Sequence, residues 1–475
     1  MPVHLPESSG RGATGSCLDP LTSPLSMSAI KIKRGLNLPI SGSLQAAEAV
    51  KGPVIKHVAL LPQEAVGIKT KLLCEVGDTV KIGTPLFFDK RNPQVLFASP
   101  SAGEVLAIHR GHRRAVQSVV VMVDESDAQV EFSPFDASKS SREDLVDLLC
   151  RSGFWPCLRQ RPYDSIPDPA SQPQAVVVSA ADTRPLAPSP LLLLAGREKE
   201  FQAGLAALQK LSDGPTFVAT HGGENWSAFL CDGVKHQDFA GPHPAGNVGV
   251  QIHHLAPVGP GKTTWHIGYQ DVADLGLFLT TGKLTSERLV ALVGPGVRQP
   301  KLLRTRKGAA TGDLCALDTP FEKPRFISGS ALGGSICQPS TETGYVGRYT
   351  NMVTILNDAP KRRFLDWVHP FAKQHTITNT LLAKFTNKSF DMDTDVNGGP
   401  RGIVPIGSYE EVMPMDILPT QLFRALAGND LETAEKMGVL ELVEDDIALC
   451  EYVCPSKLEL GKLLRTMLTR IEKEG

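Results

Sequence analysis

The first strand-like alternation of apolar and polar positions runs from Ser28 through Ile30, Lys31, Ile32 and Lys33 to Leu38. Met1 to Ser26 before it is rich in Pro, Ser and Gly and lacks the apolar core of a secretory signal. Met27 therefore reads as the true start, or residues 1–27 as a disordered leader. From Val54 to Val123 short β segments recur between turn signals, as in Val76 to Leu86 and Ser99 to Ile108. The period then changes. Ser141, followed by Asp144 and an apolar helical face, predicts a capped helix, and a Pro-rich connector runs from Pro156 to Pro173. Ala175 to Ala180 reads as a buried strand, Glu198 to Leu211 as an amphipathic helix and Thr216 to Thr220 as a second strand. Trp265 to Tyr269 is a further strand and Asp271 to Leu279 a helix. From Arg288 to Leu356 short strands with Gly turns return. Four short helices close the chain: Asp416 to Ala427, Leu431 to Met437, Glu444 to Val453 and Lys457 to Glu474, the last with a capping box at Ser456 and Glu459.

These elements make an α+β multidomain chain. The paired Gly-turn phrases resemble the barrel-sandwich hybrid of lipoyl and biotinyl domains. Strand, helix and strand after residue 175 predict a βαβ unit on a parallel sheet. Lys90 falls near the hairpin tip where lipoyl domains carry their modified lysine, but Arg91, Asn92 and Pro93 are not the flanks such a site uses, so it reads as a solvated turn lysine.

Composition excludes several classes. At 41% hydrophobic and 21% charged residues the chain can fill several cores and is no disordered polymer. A net charge of −2 argues against a nucleic-acid binder that works by neutralising phosphates. No apolar run reaches the ~18–20 residues of a membrane helix; the nearest, Ala175 to Ala195, is broken by Asp182, Arg184 and prolines. Nine scattered cysteines, an odd number, suit a reducing compartment.

Three motifs invite a function and fail on chemistry. Ala256 to Thr263 loosely copies a phosphate-binding loop, but Pro257 and Pro260 remove amide donors and the chain runs on into a strand instead of a helix. Asp393, Asp395, Asn397 and Gly398 copy half an EF-hand, with Arg401 at position nine and Val404 where the bidentate Glu belongs. His243, His253, His254 and His266 lack the spacing and partners of a zinc site, although His266, beside Trp265 and Tyr269, could face a ligand. Two absences carry more. No G-x-G-x-x-G joins the first strand of the βαβ unit to its helix; Asp182 to Leu186 takes that turn. Cys450 and Cys454-Pro455 copy the tail of a ferredoxin motif, yet a [4Fe–4S] cluster needs four thiolates and the next cysteine upstream is Cys337.

Several long phrases point to one family: Ile30 to Ile40, His243 to Gly246, Trp265 to Val272, Ile327 to Ser330, Val404 to Glu410, Met413 to Thr420 and Ala448 to Pro455. They resemble the A subunits of bacterial Na⁺-translocating NADH:quinone oxidoreductases, from about Ile30 to the C-terminus. After the leader at 1–27 and the barrel-sandwich hybrid at 28–130 read above, the resemblance implies a Rossmann-like α/β domain at 131–286, a β-grasp (SLBB-like) domain at 287–360, and a linker with a C-terminal helical domain at 361–475. It also implies a peripheral subunit on the cytoplasmic face of the inner membrane, with five partner subunits, that takes part in quinone binding and the late step of ubiquinone reduction coupled to Na⁺ export. NADH, flavins and iron–sulfur centres then belong to the partners. With its glycine loop and cluster cysteines lost, this chain is expected to hold no cofactor, no metal and no catalytic residue of its own, and to be inactive in isolation. Quinone pockets combine apolar walls, an aromatic or two and donors to the carbonyls. Trp265, His266 and Tyr269 supply those types on one segment and are the candidate quinone contacts. Two alternatives differ in class: a flavin and iron–sulfur subunit that oxidises NADH, and a purely structural docking subunit.

Overall fold

A computed structural model describes residues 28–45, 48–136, 139–315, 319–358, 375–377 and 389–474. The N-terminal leader and most of the predicted linker lie outside them.

The barrel-sandwich hybrid forms from two facing sheets. One orders His57–Leu60, Val116–Val123, Gly103–Arg110 and Thr79–Val80; the other orders Thr70–Leu72, Pro85–Asp89 and Asn92–Ala98. Alternation fills its centre with Leu86, Val105, Val119 and Val121, none exposed. Lys90 and Arg91 form the hairpin turn between Pro85–Asp89 and Asn92–Ala98.

The α/β domain opens with the helix Arg142–Arg151. Ser141 accepts the Asp144 N–H at 3.1 Å, and the Asp144 carboxylate accepts the Ser141 N–H at 2.8 Å. Loss of that reciprocal cap in Ser141→Ala should cost about 1 kcal/mol in urea denaturation. An unchanged midpoint would show the helix to be held by packing alone. The sheet behind it orders Ile30–Lys31, Lys235–Ala240, Thr216–His221, Ala175–Ser179, Thr264–Gly268 and Arg159–Arg161, parallel except for the last strand. Ala175–Ser179 reads as an unbroken apolar run because both faces are covered. Val176 and Val178 join a core shared with the barrel and the β-grasp domain, while Ala175 and Val177 join a second core made with the C-terminal helices.

The β-grasp sheet orders Ser335–Ile336, Pro324–Ser328, Met352–Asn357, Glu287–Val293, Lys301–Arg306 and Ala49–Lys51. The stretch before the barrel is thus divided between two other sheets: Ile30–Lys31 extends the α/β sheet and Ala49–Lys51 edges the β-grasp sheet. The C-terminal helices are Pro419–Ala427, Leu431–Lys436, Glu444–Val453 and Leu460–Glu474.

Two local expectations need correction. Ser456 does not cap the last helix; that helix starts at Leu460, and the Ser456 hydroxyl donates to the Gly402 carbonyl at 2.8 Å. The strand expected at Trp265 to Tyr269 ends at Gly268, and Tyr269 is the first residue of the helix Tyr269–Thr281. The loop copies behave as loops. Gly259 and Lys262 pair across a tight turn that leads into Thr264–Gly268, and Asp393 and Asp395 spend carboxylate oxygens on the N–H groups of Asp395 and Asn397.

Candidate functional site

In a parallel sheet, ligands sit outside the carboxyl ends of the strands. Here that crevice lies beyond Ser179 and Gly268, and the residues that follow the first of these strands fill it. Asp182 binds Arg184 through both carboxylate oxygens, at 2.9 and 2.5 Å. Between them Thr183 Oγ1 accepts the Gly246 N–H at 2.8 Å and lies 3.2 Å from His243 Nδ1. Burial, opposed by Asp182 and aided by Arg184, drives the His243 pKa down to about 4, so the ring is neutral near pH 7.

The helical domain closes the crevice. Asp445, in the first turn of Glu444–Val453, lies so close to Gly333 that a Cβ there would stand 2.3 Å from its Oδ1, and its backbone carbonyl accepts the Asn247 amide at 2.9 Å. Burial raises the Asp445 pKa against the pull of Arg184. A flavin or dinucleotide phosphate needs free N–H groups at a helix N-terminus and a backbone it can approach. This crevice offers the closed Asp182–Arg184 ion pair and one further carboxylate, Asp445, instead, so the residues present do not fit such a group.

Trp265, His266 and Tyr269 all lie inside the protein, at 0, 2 and 3% exposure. They do not converge on one pocket. Trp265 meets Trp155 edge to face at 5.5 Å. His266, on the opposite side of the strand, holds Asp164 through Nε2 at 2.9 Å, and burial takes its pKa down to about 4. Asp164 also binds Arg159 at 2.8 Å. Its neighbour Arg161, 3.6 Å away, reaches Asp446 at 2.7 Å, with both side chains of that pair only 1% exposed. Burial alone would raise the Asp164 pKa; Arg159, His266 and Arg161 together hold it far below the usual carboxylate range. Tyr269 works in the other direction. Its phenol oxygen accepts from Asn351 Nδ2 at 3.0 Å, and Asn351 Oδ1 accepts from Gln270 at 2.9 Å and Arg288 at 3.0 Å. Arg288 in turn binds Asp271 at 2.7 Å. The segment from Trp265 to Asp271 therefore ties the α/β sheet to the helical domain on one side and to the β-grasp domain on the other. Sequence reasoning missed these partners because Asp164, Arg288, Asn351 and Asp446 are scattered over almost 300 residues.

Known proteins share this arrangement of domains. Residues 30–124 match the NqrA N-terminal barrel-sandwich hybrid domain, residues 140–284 the NqrA second alpha/beta domain, and residues 289–338 the NQRA C-terminal domain. The A subunit of the Na(+)-translocating NADH-quinone reductase from Serratia proteamaculans is 45% identical over 453 residues, which cover 94% of this chain and all of the relative. The chain belongs to the NqrA family. The relative of the same name from Pseudomonas aeruginosa is also 45% identical, and that from Saccharophagus degradans 44%, each over 94% of this chain and the whole of its own. Among solved structures, the NAD+-reducing [NiFe]-hydrogenase in its air-oxidized state overlaps 49% of this chain and 53% of its own at 14% identity. Its TM-score of 0.33 is too low to bear on the fold.

Within this member of the NqrA family, Cys450 and Cys454 are buried at 1% and 0% exposure, and Cys454 Sγ lies 2.9 Å from the Tyr409 hydroxyl. Burial, with Glu410 next, pushes the Cys450 thiol well above its ordinary value. Two thiols and a phenol are not the donor set of an iron–sulfur cluster. Among the described residues no group of three His, Cys, Asp or Glu side chains is placed to hold a metal ion, and no helix is long and apolar enough to cross a membrane.

Proposed function

We propose that this chain is a peripheral subunit of a Na⁺-translocating NADH–quinone reductase, on the cytoplasmic face of the inner membrane, where it takes part in quinone binding and the late step of quinone reduction. One observation carries the reading: the chain matches subunits of that name over their full length at 45% identity. NADH oxidation, with its flavins and iron–sulfur centres, belongs to partner subunits, five in number, some of them in the membrane; the isolated chain is inactive. The filled crevice and the two-thiol helix support this division over the alternative of a flavin and iron–sulfur subunit that oxidises NADH. Burial of Trp265, His266 and Tyr269 counts against their direct contact with a ligand.

The test compares the assembled complex with and without this chain. NADH oxidation by an artificial acceptor should persist when the chain is missing, while quinone reduction and Na⁺ export should fall at least tenfold, on the order of the 1.4 kcal/mol that such a factor represents. Loss of the acceptor reaction as well would favour the NADH-oxidising alternative. The purified chain alone should be colourless and free of iron; a flavin or cluster near one per chain would overturn the cofactor-free reading.

A further inference from the structure

Strand register sets one face of the β-grasp sheet. Val50 pairs with Leu303, Leu292 with Lys301 and Val353, and Phe326 with Ile355. Cross-strand partners share a side, and residues two apart on a strand do too, so Leu292, Leu303, Phe326 and Ile355 floor one surface with Val50 at its edge. The helix Thr311–Cys315 has only five residues and walls one end with Leu314 and Cys315. What it leaves uncovered is a cavity of about 240 Å³. The four floor residues are at most 5% exposed, whereas Val50, at the mouth, is 45% exposed.

The rim has the opposite character. Lys51, Gln299 and Lys301 stand around the opening, and among the described residues no carboxylate lines the cavity. Lys301 lies near enough to the end wall that its charge opposes the burial that pushes the Cys315 thiol up to about 12. An apolar floor under a ring of N–H donors suits a flat, uncharged ring that carries carbonyl oxygens. Size agrees, since an apolar cavity of about 150 Å³ accepts benzene and the larger space here leaves room for ring substituents.

We infer that this cavity on the β-grasp sheet holds the head ring of a quinone, its carbonyl oxygens facing Lys301, Lys51 and Gln299. The inference rests on the quinone-binding role proposed above and gives it a place. It is tested with the full chain and a tailless dimethoxy-methyl-benzoquinone as the probe. In Val50→Trp, an exposed edge position, the new indole should be quenched saturably, because quinones quench indoles on contact. In Val76→Trp, exposed on the barrel, only linear collisional quenching should appear. Lys301→Ala should weaken binding about tenfold, the effect of one lost charge-assisted hydrogen bond, both by quenching and by equilibrium dialysis of the otherwise wild-type chain. Binding in dialysis that neither Lys301→Ala nor Gln299→Ala alters would overturn this placement and leave the quinone-binding role standing. No binding to the wild-type chain would overturn both.

Discussion

Arg161→Met should destabilise the chain by about 3–5 kcal/mol and loosen the C-terminal helices first. Arg161 is 1% exposed and joins the strand Arg159–Arg161 to the helix Glu444–Val453 through Asp446 at 2.7 Å and the Glu441 carbonyl at 3.2 Å. Burial by itself would favour loss of its proton, but Asp446 and Asp164 outweigh that and raise its pKa. Removal of the guanidinium leaves Asp446 charged and buried, with Oδ1 already lacking a partner and Oδ2 holding only the Val443 N–H at 3.0 Å. The uncompensated charge sets the cost, and this distinguishes the site from a surface ion pair worth under about 1 kcal/mol. Asp446→Asn keeps the shape and the acceptor for Val443, so the double variant should regain at least half the loss. Urea denaturation gives the magnitude, and hydrogen exchange on residues 444–453 shows where it falls. A loss below about 1 kcal/mol, or no recovery in the double variant, would refute the argument.

Glu64→Gln should stabilise the protein above neutral pH and leave it unchanged in mild acid. Glu64 ends a single helical turn of the barrel and meets the β-grasp domain at Gly347 and Arg348; its Oε2 accepts the Arg348 N–H at 3.1 Å. A Cβ on Gly347 would stand 2.0 Å from Oε1, so the carboxyl is held against bare backbone. The Arg348 side chain continues into the α/β domain, to the Gly153 carbonyl at 2.9 Å and Cys157 Sγ at 3.2 Å. A cavity of about 70 Å³ lies at this three-domain junction, and Cys157, Asp271, Lys307 and Arg348 share it with Glu64. Burial raises the Glu64 pKa from 4.5 to about 7, against the opposing pull of Arg348 and Arg159. The folded state thus holds this proton more tightly than the unfolded chain does. Its contribution is fullest below pH 4.5 and is lost as the pH rises through about 7. Glutamine carries no charge to bury and keeps an acceptor for the Arg348 N–H. At about pH 8 the variant should gain between about 1 and 3 kcal/mol, the lower figure allowing for solvent screening of a partly exposed residue. Melting curves at about pH 5 and pH 8 decide it; an offset equal at both would rule out titration of Glu64 as the cause.

The two variants probe the two faces of the α/β domain. Arg161 tests the seam with the helices, and Glu64 tests the meeting of barrel and β-grasp sheet through Arg348. Both seams are made of charged groups that no local pattern announces.

Local chemistry determined most of the architecture. The apolar run at Ala175–Ser179 states that both its faces are covered, the Ser141 and Asp144 pair starts a helix where the structure has one, and the Gly turns near Gly77 and Gly103 divide the barrel strands. Each of these signals depends on residues a few positions apart, so it survives in a linear reading. The absence of a glycine loop and of cluster cysteines was legible for the same reason. Tertiary structure alone decided the rest. Arg159–Arg161 is a strand inside a Pro-rich connector because it pairs with Thr264–Gly268, and three residues are too few to show a period. Ile30–Lys31 and Ala49–Lys51 join distant sheets because an edge strand is chosen by free backbone groups on its partner, not by its own side chains. Ser456 gives up a cap for the carbonyl of Gly402, a competitor that only folding brings near. The β-grasp cavity is the extreme case: Val50, Leu292, Leu303, Phe326 and Ile355 share one face only because register aligns four strands with a fifth from the far end of the chain, and register is a property of paired backbones that no single segment carries.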